Sequence, residues 1–568
     1  MPVDPEMPTE VDLLVIGAGA GGMTTALVGA RAGLSVMLVE KTGQVGGTTA
    51  TSGGTTWIPG THLSDASGVP DRVEDAGLFL RTVVGQRGGD HLRAAFLRSG
   101  PEAVADLERH TEVKFAAAAA HPDYIDAPGQ AFGGRALGPL PFDGRLLGAD
   151  FDRVRPPRRE FMGLGGMMVG RNELSALLSP FASLNNLRTT VGIVGRYALD
   201  RLRYRRGTRL LMGNALVARL LYSLRKTGVP ILFDATTDAL LVEQGRVTGA
   251  RVNGREIRAR RGVVLATGGI CWNKDIRDRL FPEPARAYAL APATNTGDGA
   301  DLATAIGAGF DDGGDSPALW MPCSSYRRAA GTLAVWPHII LDRAKPGLLA
   351  VNARGERFVN ESDSYHDFSV AQIKVGAFPA HLICDADFMR KYGLGMVLPG
   401  ARNLPAMLKA GYVTEAENIA ALARRIGCDP IGLQRTVEEY NRFASTGRDD
   451  AFGRGTSVMN RFNGDAAAGA NPCLGPLSGG PFYAVAVKPS DLASSAGLKG
   501  DEFGRVLNRS DQPISGLYAC GNDLASIFRG TYPGPGTTIG PAIVFGWRIA
   551  KHAAGELRAE PLPVARAV

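Results

Sequence analysis

Apolar positions at the start of the chain fall in two short, nearly unbroken runs, Val11 to Ile16 (VDLLVI) and Leu34 to Val39 (LSVMLV). Short apolar runs without alternation mark strands buried on both faces, as in a parallel sheet. Between them, Met23 to Ala32 is alanine-rich and suits a helix, and Gly33 is placed to end it. Strand, helix, strand is therefore predicted over the first forty residues. Two later apolar runs read the same way. Gly262 to Leu265 runs into Ala266-Thr267-Gly268-Gly269, and Gly516 to Ala519 runs into Cys520-Gly521-Asn522. Each predicts a strand ending in a tight turn.

The first junction gives the pattern a chemical meaning. Gly17-Ala18-Gly19-Ala20-Gly21-Gly22 is G-x-G-x-x-G between a strand and a helix. Gly17 permits the tight turn, Gly19 lets the backbone approach a pyrophosphate, Gly22 lets helix pack on strand, and the helix N-terminus faces the anion. Glu40 closes the second strand, where a carboxylate accepts hydrogen bonds from a ribose. A dinucleotide site follows. A second cluster, Lys41 to Thr49 with Gly46, Gly47 and Thr48, then Ser52-Gly53-Gly54, comes directly after the acid. It is able to wrap a pyrophosphate and the edge of an isoalloxazine, which an NAD site does not need. The Thr48–Gly54 loop holds no histidine to bond a flavin, so the FAD is expected to be noncovalent.

Length changes the picture in one respect. At 568 residues the chain exceeds one compact core, and roughly one domain per 150 residues predicts two to four units. Its 45% hydrophobic and 21% charged residues fit a folded globular protein. The net charge of +7 comes without aromatic interleaving or a binding motif, so no nucleic acid is expected. Six well-separated cysteines with no C-x-x-C predict reduced thiols and no metal site. MPVDPEMPTE lacks the basic and apolar stretches of a signal peptide, and no run of about 18 apolar residues predicts a membrane span. A cytoplasmic protein is the expectation.

About 142–212 reads as an insertion before a helix at Asn214. It carries Arg153, Arg155, Arg158 and Arg159, then FMGLGGMMVG, then Arg196, Arg201, Arg203, Arg205, Arg206 and Arg209 against the single acid Asp200. Val191, Val194, Leu199 and Leu202 give that run an apolar side. Such a segment suits an anionic membrane surface, with a solvated basic face or a subunit contact as the alternatives.

Near the C-terminus, Thr531-Tyr532-Pro533-Gly534-Pro535-Gly536-Thr537-Thr538-Ile539-Gly540-Pro541 is a turn leading into a helix. The Gly536 amide beside the Tyr532 phenol is able to form an oxyanion hole for a ketone. A loop merely shaped by proline and glycine is the alternative. Taken in order, the Gly17–Gly22 fingerprint, Ala266-Thr267-Gly268, Asn295-Thr296-Gly297-Asp298 and Gly521-Asn522 resemble the FAD contacts of the succinate dehydrogenase and fumarate reductase flavoproteins. The resemblance covers nearly the whole chain. It implies an α/β fold: a Rossmann-like, glutathione-reductase-like FAD-binding domain in two pieces, 1–322 and 488–568, around an α+β substrate domain at 323–487. It also adds Gly536, Thr538 and Ile539 to the FAD contacts.

Tyr532-Pro533-Gly534-Pro535-Gly536, with Val351 to Glu361 (VNARGERFVNE) and Tyr365, resembles the 3-ketosteroid Δ1-dehydrogenases. That resemblance implies that Tyr532 and the Gly536 amide hold the steroid C3 carbonyl and that Tyr365 removes a C2 proton. It implies that Tyr124, in the inexact match Asp123 to Gly129, assists, and that a quinone or similar acceptor reoxidises the flavin. His366 is an alternative base. Two adjacent residues of an extended segment point opposite ways, so Tyr365 is favoured and His366 is expected at the surface. A 4,5-dehydrogenase of ketosteroids, a fumarate-reductase-like enoate reductase (with Arg529 as its one supporting arginine) and a flavin- or steroid-binding protein without turnover are the rivals.

Overall fold

A computed structural model describes residues 8–286, 289–339 and 342–557. Most of the N-terminal stretch read for a signal peptide, and the outer ends of 1–322 and 488–568, lie outside the described residues. The first strand, β1 (Glu10–Ile16), feeds helix α1 (Ala20–Arg31), which returns to β2 (Val36–Val39). β1 lies between β2 and the strand Arg255–Leu265, parallel to both. Leu13, Leu14 and Val15 are fully buried there, which is why this strand carries no polar alternation.

The strand Arg255–Leu265 joins distant parts of the chain. Its N-terminal half pairs antiparallel with Arg246–Val252, and its C-terminal half pairs parallel with Pro513–Ala519. Residues near the C-terminus thereby enter the first sheet. The closing helix Ile539–Ala553 packs on α1, burying Ile543, Val544, Phe545 and Trp547.

A second, antiparallel sheet has the order Leu333–Pro337, Ala318–Arg327, Phe482–Ser494, Ala380–Asp385, Leu348–Val351, with Thr414–Ala416 also on Phe482–Ser494. The long strand pairs through its first half with Ala380–Asp385 and through its second with Ala318–Arg327. The helix Tyr365–Lys374 lies on this sheet, capped by the Ser364 hydroxyl, which accepts the Asp367 N–H at 3.0 Å. Tyr365 is thus the first residue of a helix, not part of an extended segment as the sequence suggested.

The 142–212 segment is anchored by Phe142–Asp143 pairing with Arg209–Leu210 and by a bridge from Val154 to Val45. Its basic run divides. Arg196 meets Asp143, Arg206 holds Asn214 and the Val154 carbonyl, and Arg209 meets Glu173, whereas Arg188, Arg201, Arg203 and Arg205 are exposed. On the helix Leu184–Arg201 and just after it, Val191, Leu199 and Leu202 are 62%, 70% and 84% exposed. At these positions the apolar side is turned mainly to solvent. No helix among the described residues is long and apolar enough to cross a membrane.

Candidate active site

Both sheets face one cavity of about 1410 Å³. The expected cofactor residues line it, except Gly22, Gly46 and Gly297. Gly17, at φ +107°, would place a Cβ 2.2 Å from the Ala266 carbonyl, and a Cβ on Gly22 would lie 1.9 Å from the Gly17 carbonyl. Close packing demands glycine at both. Gly19 differs, because a Cβ there meets nothing within 4 Å and the space beside it opens on the cavity. A phosphate-bearing group approaching the N-terminus of α1 fits that opening.

The pieces of the cradle are tied to one another. Glu40 accepts the Ala18 N–H at 3.1 Å and the Thr42 N–H at 3.0 Å, fixing its carboxylate at the strand end. Lys41 donates to Thr296 and Asp298, each at 2.7 Å. Asn295 donates to Thr48 and to the Gly268 carbonyl, each at 2.9 Å. Asp523, which sequence reading passed over, accepts the Gly269 N–H at 3.0 Å and the Thr267 hydroxyl at 2.9 Å, and burial pushes its carboxyl up to about 6. Its position directly after Gly521-Asn522 was the available signal. Arg155 also lines the cavity, donating to the Thr42 hydroxyl at 3.3 Å, and Arg158 lines it as well. The sequence places both in the 142–212 insertion without a role in the site. The bridge between Val45 and Val154 and the bond from Arg158 to the Leu290 carbonyl at 3.0 Å hold this stretch against the cavity.

At the other end of the cavity three buried phenols meet. Tyr365 and Tyr532 lie edge to face with centroids 5.0 Å apart, Tyr124 and Tyr365 likewise at 5.6 Å, and Tyr124 stacks on Tyr532 at 5.8 Å. The Tyr365 hydroxyl is within hydrogen-bonding reach of the other two. Tyr124 is tied to the C-terminal motif through its backbone, its N–H donating to the Pro533 carbonyl at 2.8 Å. Burial pushes all three phenols above their ordinary range, and at Tyr365 the tyrosine neighbours add to the rise. Gly536, at φ +96°, lines the cavity, and a Cβ there would strike the Thr55 carbonyl at 2.4 Å. Among the described residues its amide donates to no protein group.

His366 is buried, not a surface residue, because the helix on which it stands packs against the second sheet. Its Nε2–H donates to the Gly530 carbonyl at 2.9 Å, and its Nδ1 accepts the Trp320 N–H at 3.1 Å. Both ring nitrogens are occupied and no lone pair is left for a proton. Burial lowers its pKa. Arg529 pairs with Asp311 at 2.8 Å and is not among the cavity-lining residues. Glu361 of the N-E pair holds Arg357 at 2.7 Å and Arg454 at 3.1 Å, bracing the turn that leads to Tyr365.

A parallel nucleotide-binding sheet joined through one cavity to a wall of phenols beside an unused amide defines an FAD-dependent dehydrogenase. Residues 12–539 match the FAD binding domain family. The chain is 36% identical to 4-oxocyclohex-2-ene-1-carboxylate 5-dehydrogenase of Sinomonas cyclohexanicum, over 96% of this chain and 93% of that one. It is 35% identical to 3-oxosteroid 1-dehydrogenase of Mycolicibacterium smegmatis, over 95% and 96%. The crystal structure of 3-ketosteroid Δ1-dehydrogenase from Sterolibacterium denitrificans, in complex with 1,4-androstadiene-3,17-dione, is 34% identical and has a TM-score of 0.89, covering 97% of this chain and all of that one. The chain belongs to the 3-ketosteroid Δ1-dehydrogenase family of flavoproteins.

Proposed function

We propose that this protein introduces a carbon-carbon double bond beside a ring ketone, the 1,2-bond of a 3-ketosteroid. The convergence of Tyr532, Tyr365 and the unused Gly536 amide on one wall of the cavity carries this reading. The Tyr532 hydroxyl and the Gly536 N–H hold the ketone oxygen, and their two hydrogen bonds acidify the adjacent C2–H. Tyr365 removes that proton, with Tyr124 as its hydrogen-bond neighbour. FAD held noncovalently by the cradle of Gly17 to Gly21, Glu40, Lys41, Asn295 and Asp298 would supply the hydride acceptor for C1, with a quinone or similar compound as the electron acceptor. The protein's remaining task is to keep water from the reacting carbons, which the burial of all three phenols serves. We assign 1–322 and 488–568 to the cofactor domain and 323–487 to the substrate domain.

Anaerobic addition of a 3-ketosteroid to the holoenzyme should bleach the flavin and yield the 1,2-dehydro product. A 4-ene product, or a flavin that stays oxidised across a panel of ketosteroids, would overturn the reading. The relative that acts on a 4-oxocyclohexene carboxylate supports a second substrate reading with the same chemistry, since ring A of a 3-ketosteroid is itself a cyclohexanone.

The exposed arginines Arg188, Arg201, Arg203 and Arg205, beside Val191, Leu199 and Leu202, support peripheral docking on an anionic lipid surface. Each lysine or arginine near such a surface contributes about 1 kcal/mol. Sedimentation with phosphatidylserine vesicles that is lost in high salt or on Leu199→Ser with Leu202→Ser is the expected outcome. Equal recovery with neutral vesicles would remove the electrostatic part of the reading.

A further inference from the structure

We propose that Arg158 forms an anion subsite in the substrate half of the cavity, so that the favoured substrate is a ring ketone carrying a carboxylate remote from the ketone. The inference rests on the desaturation reading and specifies its substrate class. The arginines of the 153–159 segment divide at Pro156-Pro157. Before the prolines, Arg153 and Arg155 stay at the cofactor end, donating to the Gly43 carbonyl at 3.0 Å and the Thr42 hydroxyl at 3.3 Å. After them the chain runs along the substrate sheet. Glu160 meets Arg328 at 2.6 Å, and the Phe161 ring lies 5.5 Å from that of Trp336.

Arg158 stands between these ends. Its Nη1 donates to the Leu290 carbonyl at 3.0 Å, and the Leu290 side chain packs in one cluster with Tyr124, Tyr365 and Tyr532. Its Nε is buried without a hydrogen-bond partner. The other charges in this half of the cavity are matched. Glu160 has Arg328, and Asp342 has His338 at 2.6 Å. Among the described residues Arg158 makes no ion pair, which leaves one half-buried guanidinium lining the cavity without a charge partner. A guanidinium in that state is suited to a carboxylate, which accepts two parallel N–H bonds from it.

Two sources share this chemistry, a single oxocyclohexane carboxylate and a 3-ketosteroid with an acidic side chain. The test therefore pairs each acid with its own methyl ester, on wild-type, Arg158→Met and Arg158→Lys holoenzyme. In the arm that matches the natural substrate, wild type should favour the acid over the ester by about 10- to 100-fold in kcat/KM, the range of one charged hydrogen-bonded contact. Arg158→Met should erase that preference through KM and leave the ester unchanged, while Arg158→Lys keeps part of it. Binding of unreactive cyclohexanecarboxylate, read from the flavin spectrum, should weaken in Arg158→Met by a similar factor. Should no ketone be dehydrogenated while this binding still depends on Arg158, the desaturation reading falls and the subsite stands. Equal use of acid and ester by wild type in both arms, an equal loss on both in Arg158→Met, loss of FAD in that variant, or binding indifferent to Arg158 would each overturn the proposal.

Discussion

Replacing Tyr365 with Phe separates chemistry from packing. The Tyr365 ring is 6% exposed and wedged against Tyr124 and Tyr532 at 5.6 and 5.0 Å, contacts that a phenylalanine ring preserves. Only a hydroxyl is lost, and the stability cost should not exceed about 0.5–1.5 kcal/mol, one net hydrogen bond. Tyr124 keeps its backbone tie to Pro533, so the wall should keep its shape. The rate is another matter. A positioned general base contributes about 10²- to 10⁴-fold, equivalent to roughly 3–5 kcal/mol of barrier. His366 is no replacement, because its nitrogens are both engaged. Stopped-flow reduction of the flavin under anaerobic ketosteroid should therefore slow by two to four decades, while the spectral change on binding survives. Exchange of C2 protons with deuterated solvent, which reports proton removal without hydride transfer, should vanish alongside. If Tyr365→Phe reduces its flavin within threefold of wild type and still exchanges C2 protons, Tyr365 is not the base.

Tyr532→Phe should fail differently, lowering kcat by about 10²- to 10³-fold with KM little changed, because a carbonyl donor works hardest on the enolate-like transition state. Steady-state kinetics that show a raised KM at constant kcat would contradict its role. Gly19→Leu should purify without flavin, since its side chain would fill the space beside the α1 N-terminus; a stoichiometric absorbance at 450 nm would refute this. His381, with a buried Nδ1 that has no partner among the described residues, is held down to about 4 by burial. The unfolded chain protonates this histidine near 6.5 and the folded chain does not, so stability is present above 6.5 and falls as pH drops from 6.5 towards 4. The loss is at most about 3 kcal/mol. Urea unfolding at stepped pH should show a shallower decline for His381→Gln, and an unchanged slope would exclude it.

The nucleotide fold was legible because its signal is contiguous. Strand, glycine turn, helix and acid fall within Glu10 to Glu40, and each residue's demand is met by near neighbours in the chain or by the backbone of the adjoining strand. Tyr532 and Gly536 were legible for the same reason, standing in one short turn. The surroundings of Tyr365 were not. Adjacent residues were read as an extended pair, but Ser364 caps a helix there, and the fate of His366 depends on Trp320 and on Gly530, 46 and 164 residues away. The basic insertion behaved likewise. Composition showed its charge and its apolar side, yet tertiary contacts such as the bridge from Val45 to Val154 and the bond from Arg158 to the Leu290 carbonyl hold Arg155 and Arg158 at the cavity while Arg201 and Arg203 face solvent. Local sequence determines what a segment is able to form, and burial, which depends on all the elements packed around it, decides which of its side chains meet the substrate.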